Sequence, residues 1–377
     1  MLAKLATSLV RMIAGKLGEQ FLLEFVVTWR FLALPERIGY AGRGSNMQPS
    51  DALMVAQIAA AADDDLNWTI TMFLTAKEIL LKGLHYAGVR LSDSSTTNED
   101  NFHAHYGSES AVVALIWYDL RWTDIPAAKL DAKEDSESGL LMFFAALYYL
   151  WTYPKNTRVF ASRFDLCERL ARGEPLWKWI KKIEALKDAK IVWPTDRRRR
   201  LKAIDCMDHK TWEKKHPTYP IDRTYFSQKT EHAGVKYEIV TDPFQSKCLR
   251  IVGPIKCGKN DITVFREGEE GGESTKDIVL NEPPESRTLF IADKGYRTSE
   301  RDELGLFSTP NPLDPPELKN FKTRVRMRHE TFNGRLKFFR ILYDIFHHDL
   351  SKHKAAFIAV AVIVQYQMDH GAKLYDP

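Results

Sequence analysis

Thr288-Leu289-Phe290-Ile291-Ala292-Asp293-Lys294-Gly295-Tyr296 is a short apolar run that breaks at an aspartate and a glycine. This is the pattern of a buried strand running into a turn, with Asp293 at the strand's carboxyl end. Beyond a proline-rich connection, Arg324 to Lys337 reads as helix, and Val325, Phe332, Leu336, Phe339, Tyr343 and Phe346 recur at helical spacing. Glu330 lies within that helix. A strand-end aspartate followed by a helical glutamate forms the second half of a three-carboxylate metal site. The first half belongs upstream in an apolar strand, and Lys202-Ala203-Ile204-Asp205-Cys206 supplies it.

Aspartate is disfavoured inside strands, so Asp205 and Asp293 call for a reason. Carboxylates brought close together repel and raise one another's pKa, and a divalent cation removes that penalty. Mg²⁺, or Mn²⁺ in its place, prefers hard oxygen ligands and is held by one or two carboxylates plus phosphate oxygens and water. Two such ions about 4 Å apart serve the attacking and leaving oxygens of phosphodiester cleavage. Asp205, Asp293 and Glu330 are therefore the catalytic and metal-ligating candidates, with two ions expected. Asp208 competes with Asp205 as first ligand, and Asp261 is an accessory carboxylate. Projected on a helix, Glu330 falls roughly 150° from the apolar stripe and shares a face with Arg326, Asn333, Gly334 and Lys337, so periodicity alone does not turn it toward the sheet. Lys337, one face-repeat along, is placed to hold a phosphate.

Around this segment the texture is mixed. Gly234 to Val240 and Cys248 to Val252 read as strands paired across Thr241 to Lys247. Asn260 to Phe265 opens a short helix, and the acidic, glycine-rich stretch from Gly268 to Glu285 reads as a surface insertion. Pro310, Pro312, Pro315 and Pro316 predict an irregular loop from Pro310 to Phe321. Alternating strands and helices make residues 196–377 an α/β domain, a mixed sheet flanked by helices. Upstream the chain reads as helix, giving α+β overall: 1–130 is a helical region and 131–195 a basic helical segment, entered through a polar linker from Asp131 to Ser138.

Two stretches have the form of a helix-turn-helix. In the first, Asn101 to Tyr106 and Ser108 to Leu120 flank Gly107, with Ser108 as the expected cap, but Ser110 to Leu120 offers no Arg, Lys, Asn or Gln to a groove, so an ordinary hairpin fits better. The second lies within residues 155–190.

The length of 377 residues allows two or three domains, and 44% hydrophobic with 28% charged residues is a globular balance. Four scattered cysteines argue against a zinc site or a disulfide framework. Met1 to Trp29 is interrupted by charges and reads as an amphipathic helix, and the apolar run from Ala355 to Val364 is too short for a bilayer, so no membrane segment is expected. The net charge of +4 is unevenly distributed: residues 155–202 alone carry 15 Lys and Arg against 6 Asp and Glu. Such a block is the footprint of a polyanion, and Arg197, Arg198, Arg199 and Arg200 are its sharpest feature, suited to phosphate contact or nuclear import.

Ile204-Asp205-Cys206, then Gly253-Pro254 through Gly258 to Asp261, then Ile291 to Tyr296, then Arg328-His329-Glu330-Thr331-Phe332-Asn333-Gly334-Arg335-Leu336-Lys337 resembles the DDE superfamily endonuclease domain of PIF/Harbinger-type transposases. The carboxylates fall 88 and then 37 residues apart, and the resemblance covers about residues 200–370. It implies a ribonuclease-H-like fold and a metal-dependent endonuclease that cuts DNA at transposon ends and joins it elsewhere, with Asp205, Asp293 and Glu330 as the triad. It also implies DNA as partner; because the first helix-turn-helix lacks groove-reading side chains, end recognition is expected in residues 155–190 or in a separate DNA-binding protein, and a homo-oligomer and a nuclear location in a eukaryote, or an intracellular one otherwise, are expected as well. A DDE-derived DNA-binding or scaffold protein without chemistry is the alternative, which the intact triad disfavours. A helical protein-interaction module is a third reading, and it leaves the carboxylates unexplained.

Replacing Arg197 to Arg200 with alanine is expected to flatten the salt dependence of DNA binding, because fewer counterions are released per complex. An unchanged slope in a filter-binding or anisotropy titration would assign the block to solubility or import.

Overall fold

Leu201–Lys210, the strand that carries Asp205, is the middle of a mixed sheet in the computed structural model of this chain. The structure describes residues 75–166, 173–194, 200–212 and 222–375, which belong to one unit, Thr69–Pro377. The expected amphipathic helix at Met1 to Trp29, Arg197, Arg198 and Arg199 lie outside the described residues.

Six strands are described: β1 (Leu201–Lys210), β2 (Phe226–Ser227), β3 (His232–Thr241), β4 (Cys248–Lys256), β5 (Leu289–Ile291) and β6 (Phe307–Ser308). β3 pairs antiparallel with β1, β2 and β4, whereas β5 pairs parallel with both β1 and β6. The order across the sheet is β4-β3-β1-β5-β6, with β2 added at one end of β3. The expected hairpin across Thr241 to Lys247 is the β3–β4 pair.

The twelve described helices comprise a run ahead of the sheet and a set around it. The first run is α1 (residues 75–86), α2 (Ser95–Tyr106), α3 (Ser110–Trp122), α4 (Glu137–Thr152), α5 (Thr157–Arg163), α6 (Glu174–Ala185) and α7 (Lys187–Lys190). The second is α8 (Asp261–Glu267), α9 (Thr275–Leu280), α10 (Pro316–Phe338), α11 (Arg340–Tyr343) and α12 (Leu350–Asp369). α12 joins the two sets. It packs on α6 and α3 on one side and on β4 on another, so one apolar cluster runs from Ile79 through Met207 and Tyr237 to Leu374. The Tyr237 and Phe357 rings stack at 3.8 Å across that junction. Among the described residues no helix is long and apolar enough to cross a membrane.

The pleat of β1 divides its residues between two faces. Ile204 and Cys206 join a second cluster with Val264, Phe265, Phe290 and Tyr296 under α8, while Ala203 meets Ile291 and Val325 under α10. Both faces of β1 are thus covered, which explains why it reads as a nearly continuous apolar run.

Several local expectations give way to specific bonds. Ser108 is not the cap of α3. Glu109 holds that position, and Glu99 on α2 instead accepts from Ser110 N–H at 3.2 Å and Ser110 Oγ at 2.5 Å. α2 is capped at its start by Ser94, whose side chain accepts from Thr97 N–H. Its end at Gly107 needs a glycine: φ is +69° there, and a Cβ would fall 2.1 Å from the Trp151 ring. The polar stretch after Asp131 is an ordered turn, since Glu134 pairs with Lys178 at 2.6 Å and Lys182 at 3.0 Å on α6. The acidic insertion contains α9, closed by a Ser274/Asp277 capping box.

The proline-rich loop ends earlier than expected. Helix α10 starts at Pro316, so Pro316 to Phe321 is helical. A proline in the first turn loses nothing, since its amide would have had no helical acceptor. Nor does one helix run through to Phe346. It stops at Phe338, and Phe346 bridges to Thr211.

Between β5 and β6 the chain is fastened by Glu303, whose side chain is 0% exposed and pairs with Arg266 at 2.7 Å and Lys276 at 2.9 Å. Burial alone would raise its pKa, but Arg266, Thr298 and Lys276 hold it down at about 2. The ordinary glutamate value is higher, so the unfolded chain takes up this proton first as pH falls. The stabilisation is present above about pH 4.5 and is lost between there and about pH 2. Glu303→Gln is expected to cost about 1–3 kcal/mol at neutral pH, the partner cations being partly solvated, and to flatten that part of the acid-denaturation profile. A parallel profile for the variant would show that the ion pairs contribute nothing.

Candidate metal centre

The register of β1 against β5 builds the site. Ala203 lies opposite Ile291 in the parallel pair, so two residues further along each chain Asp205 comes beside Asp293, just past the end of β5. Crevices at the carboxyl ends of parallel strands are where open α/β sheets bind ligands. The hairpin delivers a third acid: after β4 the chain turns into α8, whose first residue is Asp261. Asp205, Asp261 and Asp293 each offer an oxygen, and these oxygens lie within 4.8 Å of one another.

Each of the three is held. Asp205 Oδ1 accepts from Cys206 N–H at 2.8 Å. Asp293 Oδ1 accepts from Gly295 N–H at 2.7 Å. Asp261 Oδ1 accepts from the Lys236 ammonium at 2.6 Å, and Lys236, itself buried, also donates to the Lys259 carbonyl at 2.9 Å. The turn after Asp293 is fixed from below by Tyr296, fully buried with its hydroxyl 3.3 Å from Cys206 Sγ. Gly295 is required by crowding, since a Cβ there would lie 2.6 Å from Asp261 Oδ2 and 2.9 Å from Asp293 Oδ1.

Burial, together with the charges of Glu330 and Asp293, pushes the Asp205 carboxyl up to about 7; the Cys206 amide and Lys229 pull the other way. Glu330 is thus near enough to act on Asp205, and the two share a small cleft with Asp293, Arg326 and His329. It is nevertheless exposed, and it is not one of the three carboxylates whose oxygens group most tightly. Lys337 lies on the same rim: burial and Lys229 lower its pKa, while Glu330, Asp208 and Asp205 oppose that. Asp208 points elsewhere, accepting from Ser227 Oγ at 2.5 Å, with Lys236 at 4.0 Å.

The donor set suits a hard divalent cation. Oxygens about 2.1 Å from an ion stand roughly 3–4 Å apart in an octahedron, close to the spacing found here. All the donors are carboxylate oxygens, and the repulsion that lifts Asp205 is what a cation would relieve. Asp261 keeps Oδ2 for such an ion while Oδ1 stays on Lys236. Sequence reasoning ranked Asp261 as accessory and did not single out Lys236. A lysine inside the apolar run Val235-Lys236-Tyr237 was the available signal.

The basic block contributes less free charge than its count suggests. Lys178, Lys182 and Lys190 pair with Glu134 or Asp119, and Lys202 donates to Thr288 Oγ1 and lies over the Trp193 ring. α6 buries Leu176, Trp177, Ile180 and Ile183 in the shared core. Arg200 is exposed.

Excess Mn²⁺ is expected to raise the melting temperature of the wild type, by about 2.7 kcal/mol of added stability at a hundred times Kd. Asp261→Asn and Gly295→Ala should lose most of that rise and Glu330→Gln a smaller part. A loss for Glu330→Gln as large as that for Asp261→Asn would place the glutamate among the principal ligands.

No family model matches this chain, and neither a curated protein nor a solved structure matches it.

Proposed function

We propose that this chain is a divalent-metal-dependent DNA endonuclease of the DDE type, related to the PIF/Harbinger transposases it resembles. The observation that carries the reading is the meeting of Asp205 and Asp293, from strands 88 residues apart, at one crevice with a third carboxylate. The six-strand mixed sheet, with Asp293 just past the end of β5 beside Asp205 within β1 and a long C-terminal helix across one face, supports a ribonuclease-H-like fold.

Asp205, Asp293 and Asp261 would hold the metal, Mg²⁺ or Mn²⁺, with Glu330 completing a second position. Bound there, the ions would activate the attacking oxygen and stabilise the leaving one. The chain's own groups do the rest. Cys206 N–H and Gly295 N–H orient the two strand-borne carboxylates, and Lys236 fixes Asp261. Lys337 and Lys229 at the rim offer ammonium groups to the scissile phosphate, where preorganised charge lowers the barrier. Strand transfer would need only a 3′-hydroxyl in place of water. The reading puts the protein on DNA, in the nucleus if the cell has one.

One observation favours the alternative, a DDE-derived DNA-binding protein without chemistry. Lys236 already supplies a positive charge to the cluster at 2.6 Å from Asp261, so the fold can be stable with no metal bound.

A nicking assay on supercoiled DNA with Mn²⁺ separates the two. The wild type is expected to nick, and Asp205→Asn, Asp293→Asn and Glu330→Gln should each reduce the rate at least about a hundredfold while leaving DNA affinity within about threefold, because affinity comes from basic groups elsewhere. Lys337→Ala should slow cleavage about tenfold or more. A wild type that binds but never nicks supports the silent reading, and full activity in any carboxylate variant removes that residue from the site.

A further inference from the structure

From the carboxylate cluster a groove of about 1310 Å³ extends between β1 and the β2–β3 turn, with Asp205 and Asp293 at one end and Trp212, Arg223 and Phe226 among its other walls. It exceeds the roughly 300–1,000 Å³ of small-molecule pockets. Trp212 lies seven residues beyond Asp205 and two past the end of β1, about 23 Å at the 3.3 Å per residue of extended chain. That is the length of roughly seven stacked nucleotides at 3.4 Å each.

The walls carry exposed aromatic and cationic side chains, Trp212 also meeting the His347 ring edge-on at 6.2 Å. Trp212 is 57% and Phe226 48% exposed, although both backbones are fixed. Trp212 N–H donates to the Phe346 carbonyl at 2.7 Å. Phe226 pairs with Ala233, whose carbonyl accepts from Thr211 N–H at 2.9 Å. The two rings therefore stand at the same end of the groove, on backbones that flank β3. Scattered exposed apolar residues are ordinary, but two rigidly mounted aromatics in one groove beside unpaired cations are not a random scatter. Arg223 and Lys229 are exposed and form no ion pair with any described residue, and Lys229 lines the same groove as Asp205.

We propose that this groove binds an unpaired DNA strand, Phe226 and Trp212 stacking on its bases and Arg223 and Lys229 holding its phosphates. Aromatic faces beside cationic side chains hold single strands without sequence preference; the groove's acids outside the carboxylate cluster are Asp222, paired with Lys256, Asp208, which accepts from Ser227, and Glu231. In a duplex the bases stack on each other and present no free face to a ring, so strand separation or base extrusion next to the cut is part of the proposal. The inference rests on the nuclease reading for the purpose of the strand, which it leads toward the carboxylates. The binding itself needs neither metal nor chemistry.

The test measures fluorescence anisotropy in EDTA with a labelled oligothymidylate of about fifteen nucleotides, twice the groove's span, and with a duplex of the same length. Phe226→Ala and Trp212→Ala are each expected to weaken single-strand binding about five- to a hundredfold and duplex binding less than about threefold. Phe226→Tyr and Trp212→Phe, which keep a ring and guard against simple misfolding, should stay within about threefold of wild type. So should Leu313→Ala, a 90% exposed site elsewhere. Equal losses on both probes, or none, would overturn the proposal, as would failure of the ring-preserving variants to bind. Because metal is absent, the outcome is separate from the nicking assay. Ring-dependent single-strand binding without nicking keeps the groove and discards the nuclease, and nicking without ring dependence does the reverse.

Discussion

The parallel pairing of β5 on β1 is the constraint on which the rest depends. Its register, Ala203 against Ile291, is held on one face by Val325 and on the other by Phe290 and Ile204. A slip of one residue would turn every side chain of β5 to the wrong face, moving Phe290 out of its cluster. Because that burial cost is large, the register is rigid, and the position of Asp293 beside Asp205 follows from packing several residues away.

Beneath the carboxylates lies a polar layer that a purely apolar core would lack. Glu238 is opposite Cys206 in the sheet and fully buried, accepting from Thr275 Oγ1 at 2.5 Å; Arg250 Nε donates to the same hydroxyl at 3.2 Å. Burial pushes the Glu238 carboxyl up to about 7. Tyr296 lies between this layer and Cys206, so the turn that sets Asp293 is tied by a directional bond to the strand that carries Asp205. Apolar contact alone fixes depth but not rotation, whereas a hydrogen-bonded layer fixes both.

The strands and their acids were legible because they depend on local pattern. An aspartate interrupting an apolar run, the break at Lys294-Gly295 and the alternation of Gly234 to Val240 are features a short window contains. What stayed illegible depends on distant pieces. Whether Asp261 or Glu330 comes nearest to Asp205 is decided by the path of the β3–β4 hairpin and by the rotation of α10, and the projection of Glu330 away from the apolar stripe does not settle that rotation. The start of α10 at Pro316 escaped because a proline reads as a breaker unless the N-terminus is already known to fall there. Likewise the charge count of residues 155–202 could not reveal that Lys182 is buried against Glu134.

The centre is built from two unfavourable halves. On its floor, burial and mutual repulsion leave Asp205 half protonated near neutral pH; on its rim, burial and Lys229 push the Lys337 ammonium toward its neutral form. The buried Lys236 ammonium is committed to Asp261. Under the proposed reading a hard cation on the floor and a phosphate at the rim would each meet a group that lacks its counter-charge, and each would help bring the other in. Such strain, maintained by a rigid sheet register, is what distinguishes a binding centre from a solvated patch of charge, whose members would move apart.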